Sequence, residues 1–492
     1  MLLTGNALLN YQRCDRRVYL DECGDRPWGG DREFLKKLQQ ESGQYHREIL
    51  GDRPSSRPDY TPGNWIEADR ATRELMQQGV EAIDRAALLA KWQPDVDLLS
   101  FPDRLVKIPS AEESEWGDWI YIPEQIEFGK RPKLDYQVVA AFDAFVLASV
   151  QGVWPPFSRL ILRDRAPFNV DLDYRVPLMY DILSDCVEMF QQRAEPEVFI
   201  SRQKCSLCAW LPRCQSVARS LEHLCLLPGV TSRRYEQLKD ANLDTLEALA
   251  NASLSDIEIA VSQDLPNAGI SAEEIARQLF LQSRSTFFQR PFATEAEGEL
   301  PPVASFYLEA ELYFDIEAQP DLDLNYLLGV FVVDRRHNSE KFYAFVAENP
   351  EEEERVWHEF LQLVDRYPHA PIFHFGDYET KTIRKLGKRY KTPATQWQDT
   401  IDRCVDMREW IDRAVVLPVE NYSLKTLAQW MGFSWRDASA SGAQSICWYD
   451  RWLETGDRSY LDAIIEYNED DCRATYRVRQ WLADFLSTAV SA

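Results

Sequence analysis

The sequence predicts a multidomain α/β protein. A chain of 492 residues is longer than most single domains, so we expect two or three of them. Hydrophobic residues make up 45% of the chain and include 15 tryptophans, which is enough apolar material for more than one core. In the last third, segments of strand and helix periodicity alternate, as they do in a sheet covered by helices. We therefore divide the chain into regions at residues 1–218, 219–290 and 300–492.

The first region mixes helices and strands. Apolar spacing predicts helices over residues 31–51 and 65–92, and a long apolar helix over residues 136–150. Between the last two, alternating apolar residues around Leu105 and over residues 119–126 predict a β-hairpin.

The second region is small and helical. The segment Leu227–Val230 precedes a predicted helix that runs through Arg233 to Leu238, and a break at Ala241 and Asn242 leads to a second helix. Two short helices with a glycine-containing turn resemble the helix-hairpin-helix modules that hold DNA backbones through turn amides. DNA contact and a plain structural spacer are both consistent with this pattern.

The third region follows an acidic stretch at residues 294–299 and Pro301–Pro302, which together read as a linker. Beyond it the pattern is strand, strand, strand, helix, strand, helix, over residues 312–316, 326–333, 341–346, 351–367, 371–375 and 377–390. A last helix is predicted over about residues 460–485. This order favours a mixed sheet flanked by helices.

Two residue pairs in the third region indicate a catalytic site. Asp315 and Glu317 are two apart in a strand and so face the same side of the sheet. Tyr467 and Asp471 are four apart in the last helix and share one of its faces. Crowded carboxylates repel unless a cation or a proton neutralises them. Two-metal hydrolysis of a phosphodiester, with oxygen ligands around Mg²⁺ or Mn²⁺, requires such a cluster.

A further carboxylate is expected between these two pairs, and Asp377 is our choice. It follows the apolar strand at residues 371–375 and precedes a helix. The alternative is that Asp377 only caps this helix.

These motifs together resemble the DEDD exonucleases of the DnaQ type. The run Tyr467–Thr475, with Tyr422–Lys425 upstream, is similar to the YprB-like branch of RNase H-like domains. The resemblance implies that two Mg²⁺ or Mn²⁺ ions are held by Asp315, Glu317, Asp377 and Asp471. It also implies that Tyr467 orients the attacking water.

A basic cluster lies on the helix that begins near Asp377. It comprises Lys381, Arg384, Lys385, Lys388, Arg389 and Lys391. Phosphates of a nucleic acid led towards the metal site would explain it. A solvated, charged helix face is the alternative.

Three cysteines in the first region have metal-site spacing. Cys205, Cys208 and Cys214 form a tight triplet of the kind that binds zinc or an iron–sulfur cluster, and Cys225 would complete a zinc site. The segment around Cys14, however, resembles the first cysteine of RecB-like nucleases with an iron–sulfur staple. That resemblance implies a [4Fe–4S] cluster on Cys14, Cys205, Cys208 and Cys214, with Zn²⁺ as the alternative.

The same resemblance implies a restriction-endonuclease-type α/β fold for the first region and assigns its site residues. His46 matches the family's metal-binding histidine, Asp103 its first catalytic carboxylate and Gln137 a later substrate-side motif. Gln125 stands where the family has a carboxylate, and Glu127 stands where it has a lysine. We therefore expect this domain to bind nucleic acid and to cleave poorly or not at all, with His46 and Asp103 vestigial.

Nearly the whole chain is similar to RecB-like putative nucleases that carry a fused YprB-type exonuclease. The resemblance implies a metal-dependent nuclease acting 3′ to 5′ on single-stranded ends, with DNA expected ahead of RNA. Two alternatives stay open. One is a non-catalytic nucleic-acid-binding or scaffold protein. The other is a nuclease with a rearranged site in the first region, using Glu124 or Glu127 with Lys130.

Charge and hydropathy restrict the partners and the location. A net charge of −25 argues against coating DNA by bulk electrostatics, but leaves room for local phosphate contacts. Polar residues such as Asn6 and Arg13 interrupt the amino-terminal segment, and residues 138–154 are too short and too polar to span a bilayer. Ten unevenly spread cysteines are typical of a reducing compartment. We expect a cytoplasmic protein without a membrane partner.

Overall fold

The computed structural model describes residues 1–25, 33–51, 54–114, 116–262, 271–294 and 308–489. These residues form two compact units, Met1–Ser216 and Val217–Ala492. Apart from Thr294, the predicted linker lies outside the described residues, as do the first two positions of the helix predicted from residue 31. In the described ranges, no helix combines the length and the apolar character needed to cross a bilayer.

The first unit is built from helices around two sheets. Its helices are α1 (Gly5–Arg13), α2 (Asp15–Cys23), α3 (Glu33–Gly51), α4 (Trp65–Gln77), α5 (Leu134–Gln151), α6 (Leu172–Gln192) and α7 (Arg202–Cys205). Helix α8 (Leu211–Ser220) begins in this unit and continues past its last residue, Ser216. Its strands are β1 (Leu2–Thr4), β2 (Ala82–Asp84), β3 (Leu88–Gln93), β4 (Val96–Ser100), β5 (Arg104–Ser114), β6 (Gly117–Glu127), β7 (Ser158–Leu162) and β8 (Phe168–Val170).

The larger sheet of this unit has the order β2-β5-β6-β7-β8, in which β6 and β7 are the parallel pair. The smaller sheet has the order β1-β4-β3. Helix α5 is apolar on nearly all sides and is buried along most of its length, as expected of a helix at the centre of a core. It ends at Gly152, which adopts the left-handed conformation with φ +75°.

Most of the predicted elements of this unit are confirmed. The hairpin is formed by β5 and β6, and the long apolar helix is α5. The helix predicted over residues 65–92 is wrong beyond Gln77. There Gly79, with φ +66°, turns the chain, and two strands follow.

The second unit contains the remaining elements. Its helices are α9 (Ser232–Asp240), α10 (Leu246–Asn251), α11 (Leu254–Val261), α12 (Ala272–Phe288), α13 (Glu353–Arg366), α14 (Tyr378–Arg389), α15 (Ala394–Asp402), α16 (Met407–Ala414), α17 (Leu424–Trp430), α18 (Gly442–Thr455) and α19 (Arg458–Ala489). Its strands are β9 (Phe292–Ala293), β10 (Ala310–Gln319), β11 (Leu324–Asp334), β12 (Ser339–Val346), β13 (Ile372–His374), β14 (Cys404–Asp406) and β15 (Val415–Val416).

A five-stranded sheet of order β12-β11-β10-β13-β14 is the centre of this unit. The first three strands are antiparallel, and β13 and β14 continue parallel to β10. Every residue of β11 is buried, because helices cover both faces of the sheet. The predicted order of three strands, helix, strand and helix is confirmed, whereas β14 was not predicted.

Side-chain alternation in β10 places its acidic residues. Phe314 stacks on Phe360 of α13 with ring centroids 4.5 Å apart, on one face of the sheet. Tyr313 points to the other face, where its ring lies 5.0 Å from that of Tyr476 in α19. Asp315 shares the face of Tyr313 and is therefore directed towards α19.

The predicted helix pair near residue 240 is α9 and α10. The chain breaks at Asn242, which has φ +57°. Helix α12, farther along, is tied to the segment after β15: Gln282 donates from Nε2 to the carbonyl of Leu417 at 2.8 Å and accepts from the hydroxyl of Tyr422 at 3.0 Å.

Candidate metal centre

Three carboxylates from distant parts of the chain meet at one point. Asp315 and Glu317 come from β10 and Asp471 comes from α19, and one oxygen of each lies within 4.8 Å of the others. Glu317 is buried, and Asp315 and Asp471 are half-buried. Divalent cations are bound in proteins by oxygen groups converging in this way.

The carboxylates of this cluster repel one another in a buried position. Burial, followed by repulsion from Asp471, raises the pKa of both Asp315 and Glu317 well above the ordinary range. Burial also raises the pKa of Asp471, to about 6. A bound cation would remove this repulsion and allow all three groups to ionise.

Asp315 is held by a buried amide. Asn468 donates from Nδ2 to Asp315 Oδ2 at 2.7 Å, and its side chain has no exposed surface. It fits because Gly329, the partner of Asp315 in β11, has no side chain: a Cβ there would lie 1.6 Å from Asn468 Oδ1. Gly329 is thus required for the position of the carboxylate.

Asp471 is held by an indole. Trp435 donates from Nε1 to Asp471 Oδ1 at 2.7 Å. Lys425 lies over the Trp435 ring at 5.7 Å and donates to the carbonyls of Ala438 and Ala440, both at 2.8 Å. Trp435 and Lys425 favour the ionised form of Asp471 and oppose the effect of its burial on the pKa.

Tyr467 is also at the cluster. Its side chain is half-buried and hydrogen-bonds Asp471. Burial and the neighbouring carboxylates raise its pKa far above the ordinary value, so the phenol remains protonated. It can orient a water molecule as a hydrogen-bonding group, but it cannot serve as a base near neutral pH.

The structure does not bring Asp377 to this cluster. Its side chain is 72% exposed and forms an ion pair with Lys381 on the next turn. It immediately precedes α14, and its side chain does not cap the helix either.

Glu379 is the acid that this part of the chain directs inwards. It is 4% exposed, and its charge raises the pKa of both Asp315 and Glu317. Burial raises the pKa of Glu379 itself, and His374, 3.5 Å away, acts in the opposite direction. Residues 377 and 379 point in nearly opposite directions because each helical residue turns the chain by about 100°.

A sequence signal for Glu379 did exist. Glu379, Thr382, Ile383 and Leu386 are all buried and follow the spacing of one helix face. Asp377 does not belong to that face, so helical periodicity would have selected Glu379.

Three members of the basic cluster on α14 are engaged by acids. Lys381 pairs with Asp377, and both Lys385 and Arg389 pair with Asp323. Arg389 also contacts Glu353 at 2.6 Å. The other three members of the cluster, Arg384, Lys388 and Lys391, are exposed. A solvated helix face with internal ion pairs describes most of this surface.

Residues 312–483 match a model of the RNase H superfamily. The carboxy-terminal domain is RNase H-like. Its carboxylate cluster lies within the matched residues, and domains of this superfamily are commonly nucleolytic and typically use two Mg²⁺ or Mn²⁺ ions. No curated protein matches the chain significantly.

In the first unit, the four cysteines singled out for a cluster line one pocket. Cys14 lies between α1 and α2, and Cys205, Cys208 and Cys214 come from the last segment of the unit. Burial, and to a smaller extent the neighbouring thiols, raises the pKa of Cys14 to about 11. Soft sulfur ligands of this kind fit zinc or iron–sulfur chemistry.

Two of the residues assigned by resemblance in this unit are neighbours. His46 Nδ1 lies 3.2 Å from Asp103 Oδ1, and Asp103 Oδ2 accepts from the amide of Ile126 at 2.7 Å. Burial, followed by the charge of nearby Asp103, raises the pKa of Glu127 to about 7. A second acidic group therefore stands beside this pair.

The other residues considered for a site in the first unit are bound elsewhere. Gln137 donates to the carbonyl of Pro132 and accepts from Arg175. Glu124 pairs with Arg159 at 2.6 Å and Lys130 pairs with Asp164 at 2.9 Å. Gln125 donates to the buried carboxylate of Asp143.

Proposed function

We propose that this protein is a metal-dependent nuclease whose RNase H-like domain hydrolyses phosphodiester bonds. The observation that carries the proposal is the meeting of Asp315, Glu317 and Asp471 within 4.8 Å, with pKa values raised by burial. An all-oxygen donor set favours hard cations such as Mg²⁺ and Mn²⁺ over softer metals.

The chain's own residues would divide the work as follows. Asp315, Glu317 and Asp471 hold the cations, and Glu379 takes the place that we predicted for Asp377. Two cations held there would offset the charge of the phosphate and lower the pKa of the attacking water. Tyr467 orients that water through its protonated hydroxyl, and Asn468 and Trp435 fix the carboxylates to which they donate.

The direction and substrate of cleavage come from the resemblance to DEDD exonucleases. On that basis the enzyme removes nucleotides from the 3′ end of single strands, with DNA expected ahead of RNA. The cytoplasmic location remains a prediction.

The first unit, on this proposal, binds nucleic acid and carries a [4Fe–4S] cluster on Cys14, Cys205, Cys208 and Cys214. The shared pocket supports a common group, and zinc is the alternative. Visible absorbance with matching iron content is expected in the purified protein, and Cys208→Ser is expected to remove both. The exposed Cys23→Ser is the matched control. Zinc without colour would exclude the cluster.

Weak or absent cleavage by the first unit is supported by the acidic side chain of Glu127 beside His46 and Asp103. In the related site a lysine would supply positive charge at this position. The ion pairs of Glu124 and Lys130 also keep these residues from completing a rearranged site.

The nuclease proposal is tested with labelled oligonucleotides and Mn²⁺. Asp315→Asn and Glu379→Gln are expected to reduce cleavage by at least about 100-fold, since each removes a charge at the cations. Asp377→Asn and Asp103→Asn, which change acids outside the cluster, are expected to retain most of it. Cleavage lost in Asp103→Asn but kept in Asp315→Asn would move the activity to the first unit. An inactive parent protein with every divalent metal would favour a binding or scaffold protein.

A further inference from the structure

The carboxy-terminal end of α12 carries a strip of alternating aromatic and basic side chains. Its members are Phe280, Arg284, Phe287, Phe288, Arg290 and Phe292. We call these residues the Phe–Arg strip. None of them belongs to the carboxylate cluster.

The guanidinium groups are interleaved with the rings. Arg284 Cζ lies 5.1 Å from the ring centre of Phe280 and 5.5 Å from that of Phe288. Arg290 Cζ lies 5.7 Å from the ring centre of Phe288 and 4.8 Å from that of Phe292. Each cation is thus shared between two rings, which lines the side chains up in one row.

The strip faces solvent and its charge is not neutralised by acids. Phe287 and Phe288 are 39% and 45% exposed, which is unusual for large apolar rings. Across the ranges that the structure describes, neither Arg284 nor Arg290 forms an ion pair with a carboxylate. Lys381, Lys385 and Arg389 of α14 are tied to acids, whereas the neighbouring guanidinium groups of Arg284 and Arg290 form a local positive surface in an acidic chain.

The backbone beneath the strip is fixed. Helix α12 ends at Gln289, which is left-handed with φ +52°, and the chain then pairs through β9 with β15. Ser285 donates to the carbonyl of Arg290 at 2.8 Å and lies 3.2 Å from that of Val416. The rings and cations are therefore presented by an ordered turn rather than by a loose chain end.

We propose that the Phe–Arg strip binds single-stranded nucleic acid. The guanidinium N–H groups that point away from the rings can donate to phosphate oxygens. The exposed ring faces can stack with unpaired bases. A duplex keeps its bases stacked internally, so it could use only the charge. The inference deepens the proposed nuclease function by naming a contact surface and the strand form of its substrate.

Binding is measured separately from cleavage. Fluorescence anisotropy with labelled oligothymidylate, oligouridylate and a duplex of equal length, all in excess EDTA, reports affinity while hydrolysis is blocked. We expect the full-length protein to bind both single strands more tightly than the duplex. The two single-strand arms show whether DNA and RNA differ.

Three variants separate stacking from charge. Phe288→Ala is expected to weaken single-strand binding by ~5- to 150-fold, as for the loss of one stacked base. The double variant Arg284→Ala/Arg290→Ala is expected to reduce the salt dependence of log Kd by about 1.4, since each lost phosphate contact accounts for about 0.7. Arg284→Lys/Arg290→Lys is expected to restore the salt dependence but not the full affinity, because lysine lacks the planar group.

Matched controls come from exposed positions elsewhere in the unit. Leu453→Ala removes a side chain of similar exposure, 40%, and Arg366→Ala removes an exposed arginine from the end of α13. Neither is expected to change binding. No single-strand binding by the parent, unchanged binding in the strip variants, or an equal loss in the controls would each overturn the proposal.

The nuclease proposal can fail independently. Asp315→Asn is expected to bind single strands like the parent protein in EDTA while losing cleavage with Mn²⁺. If it cleaves normally, the catalytic assignment is wrong and the binding result is unaffected.

Discussion

Replacing Gly329 by alanine tests how the carboxylate cluster is held in place. The added methyl group would lie 1.6 Å from Asn468 Oδ1, 2.8 Å from Asn468 Cγ and 3.1 Å from Phe342 Cε2. The first of these distances is impossible, so Asn468 must leave its position. It then no longer donates to Asp315, and the cluster loses its positioning amide.

The cost has two parts. Overpacking of a dense core costs about 1–3 kcal/mol, and with cations bound the lost hydrogen bond to ionised Asp315 costs about 1.5–3 kcal/mol. Together these predict a destabilisation of roughly 2.5–6 kcal/mol for Gly329→Ala. The same displacement should lower nuclease activity by at least about 10-fold, as expected when a group that supports a metal ligand is removed.

A double-mutant cycle isolates the cause. Asn468→Ala alone removes the hydrogen bond and leaves space beside Gly329, so adding the methyl group to this background should cost little. We expect the double variant to be less destabilised than the sum of the two single variants, by a coupling free energy of about 1–3 kcal/mol. Hydrogen exchange of the peptides that cover β10 and β11 measures it locally, which avoids treating a two-unit chain as a two-state system.

Additive effects of the two substitutions would refute this reasoning, because they would show that the methyl group at residue 329 does not displace Asn468. Unchanged protection of β10 and β11 in Gly329→Ala would refute it equally. Parent-like activity in Asn468→Ala would show that the amide is not needed to position Asp315.

Other outcomes follow from the same contacts. Trp435→Phe removes the hydrogen bond that favours ionised Asp471, so half-maximal activity should require about 10-fold more Mn²⁺; a Mn²⁺ titration checks this, and an unchanged midpoint would contradict it. Burial raises the pKa of Asp143 to about 7, so the folded protein holds a proton on this side chain that the unfolded chain has already lost. The free energy of unfolding therefore falls as the pH rises from about 4 to 7. Asp143→Asn should therefore gain in melting temperature over the parent protein at pH 8 but not at pH 4. An equal shift at both pH values would exclude a titrating Asp143. Tyr467→Phe should lower kcat and leave KM largely unchanged in steady-state cleavage of a labelled strand. A change in KM alone would assign Tyr467 to substrate binding.

The fold of the carboxy-terminal domain was largely predictable because its patterns are local. Alternation over β10 and β11 and helical spacing over α13 and α14 are set by a few neighbouring residues. Short elements such as β14, with three residues, carry too little periodicity to be recognised and are stabilised by pairing with β13.

The candidate site was predictable in part, for the same reason. The two-residue spacing of Asp315 and Glu317 in a strand and the four-residue spacing of Tyr467 and Asp471 in a helix each place two groups on one face. The choice between Asp377 and Glu379 depends on the orientation of α14 about its own axis, which is set by how that helix packs on the sheet. Only this packing makes Glu379 the inward acid.

The basic residues of α14 were also predictable only in part. Their clustering is visible in the sequence, but their pairing with Asp323 and Glu353 is created by chain segments more than 30 residues away. In the first unit, likewise, no local spacing relates Cys14 to the three cysteines near residue 210, which share its pocket.

The amino-acid order by itself determined which side chains share a face of a strand or helix, since backbone geometry repeats every two or every 3.6 residues. Which faces then meet was decided by the tertiary structure. Burial of apolar surface drives helices and strands together without regard to their distance along the chain, and this packing brought β10 and α19 into contact. The approach of Asp315 to Asp471, the space left by Gly329 and the row formed by the Phe–Arg strip all exist only once that packing is complete.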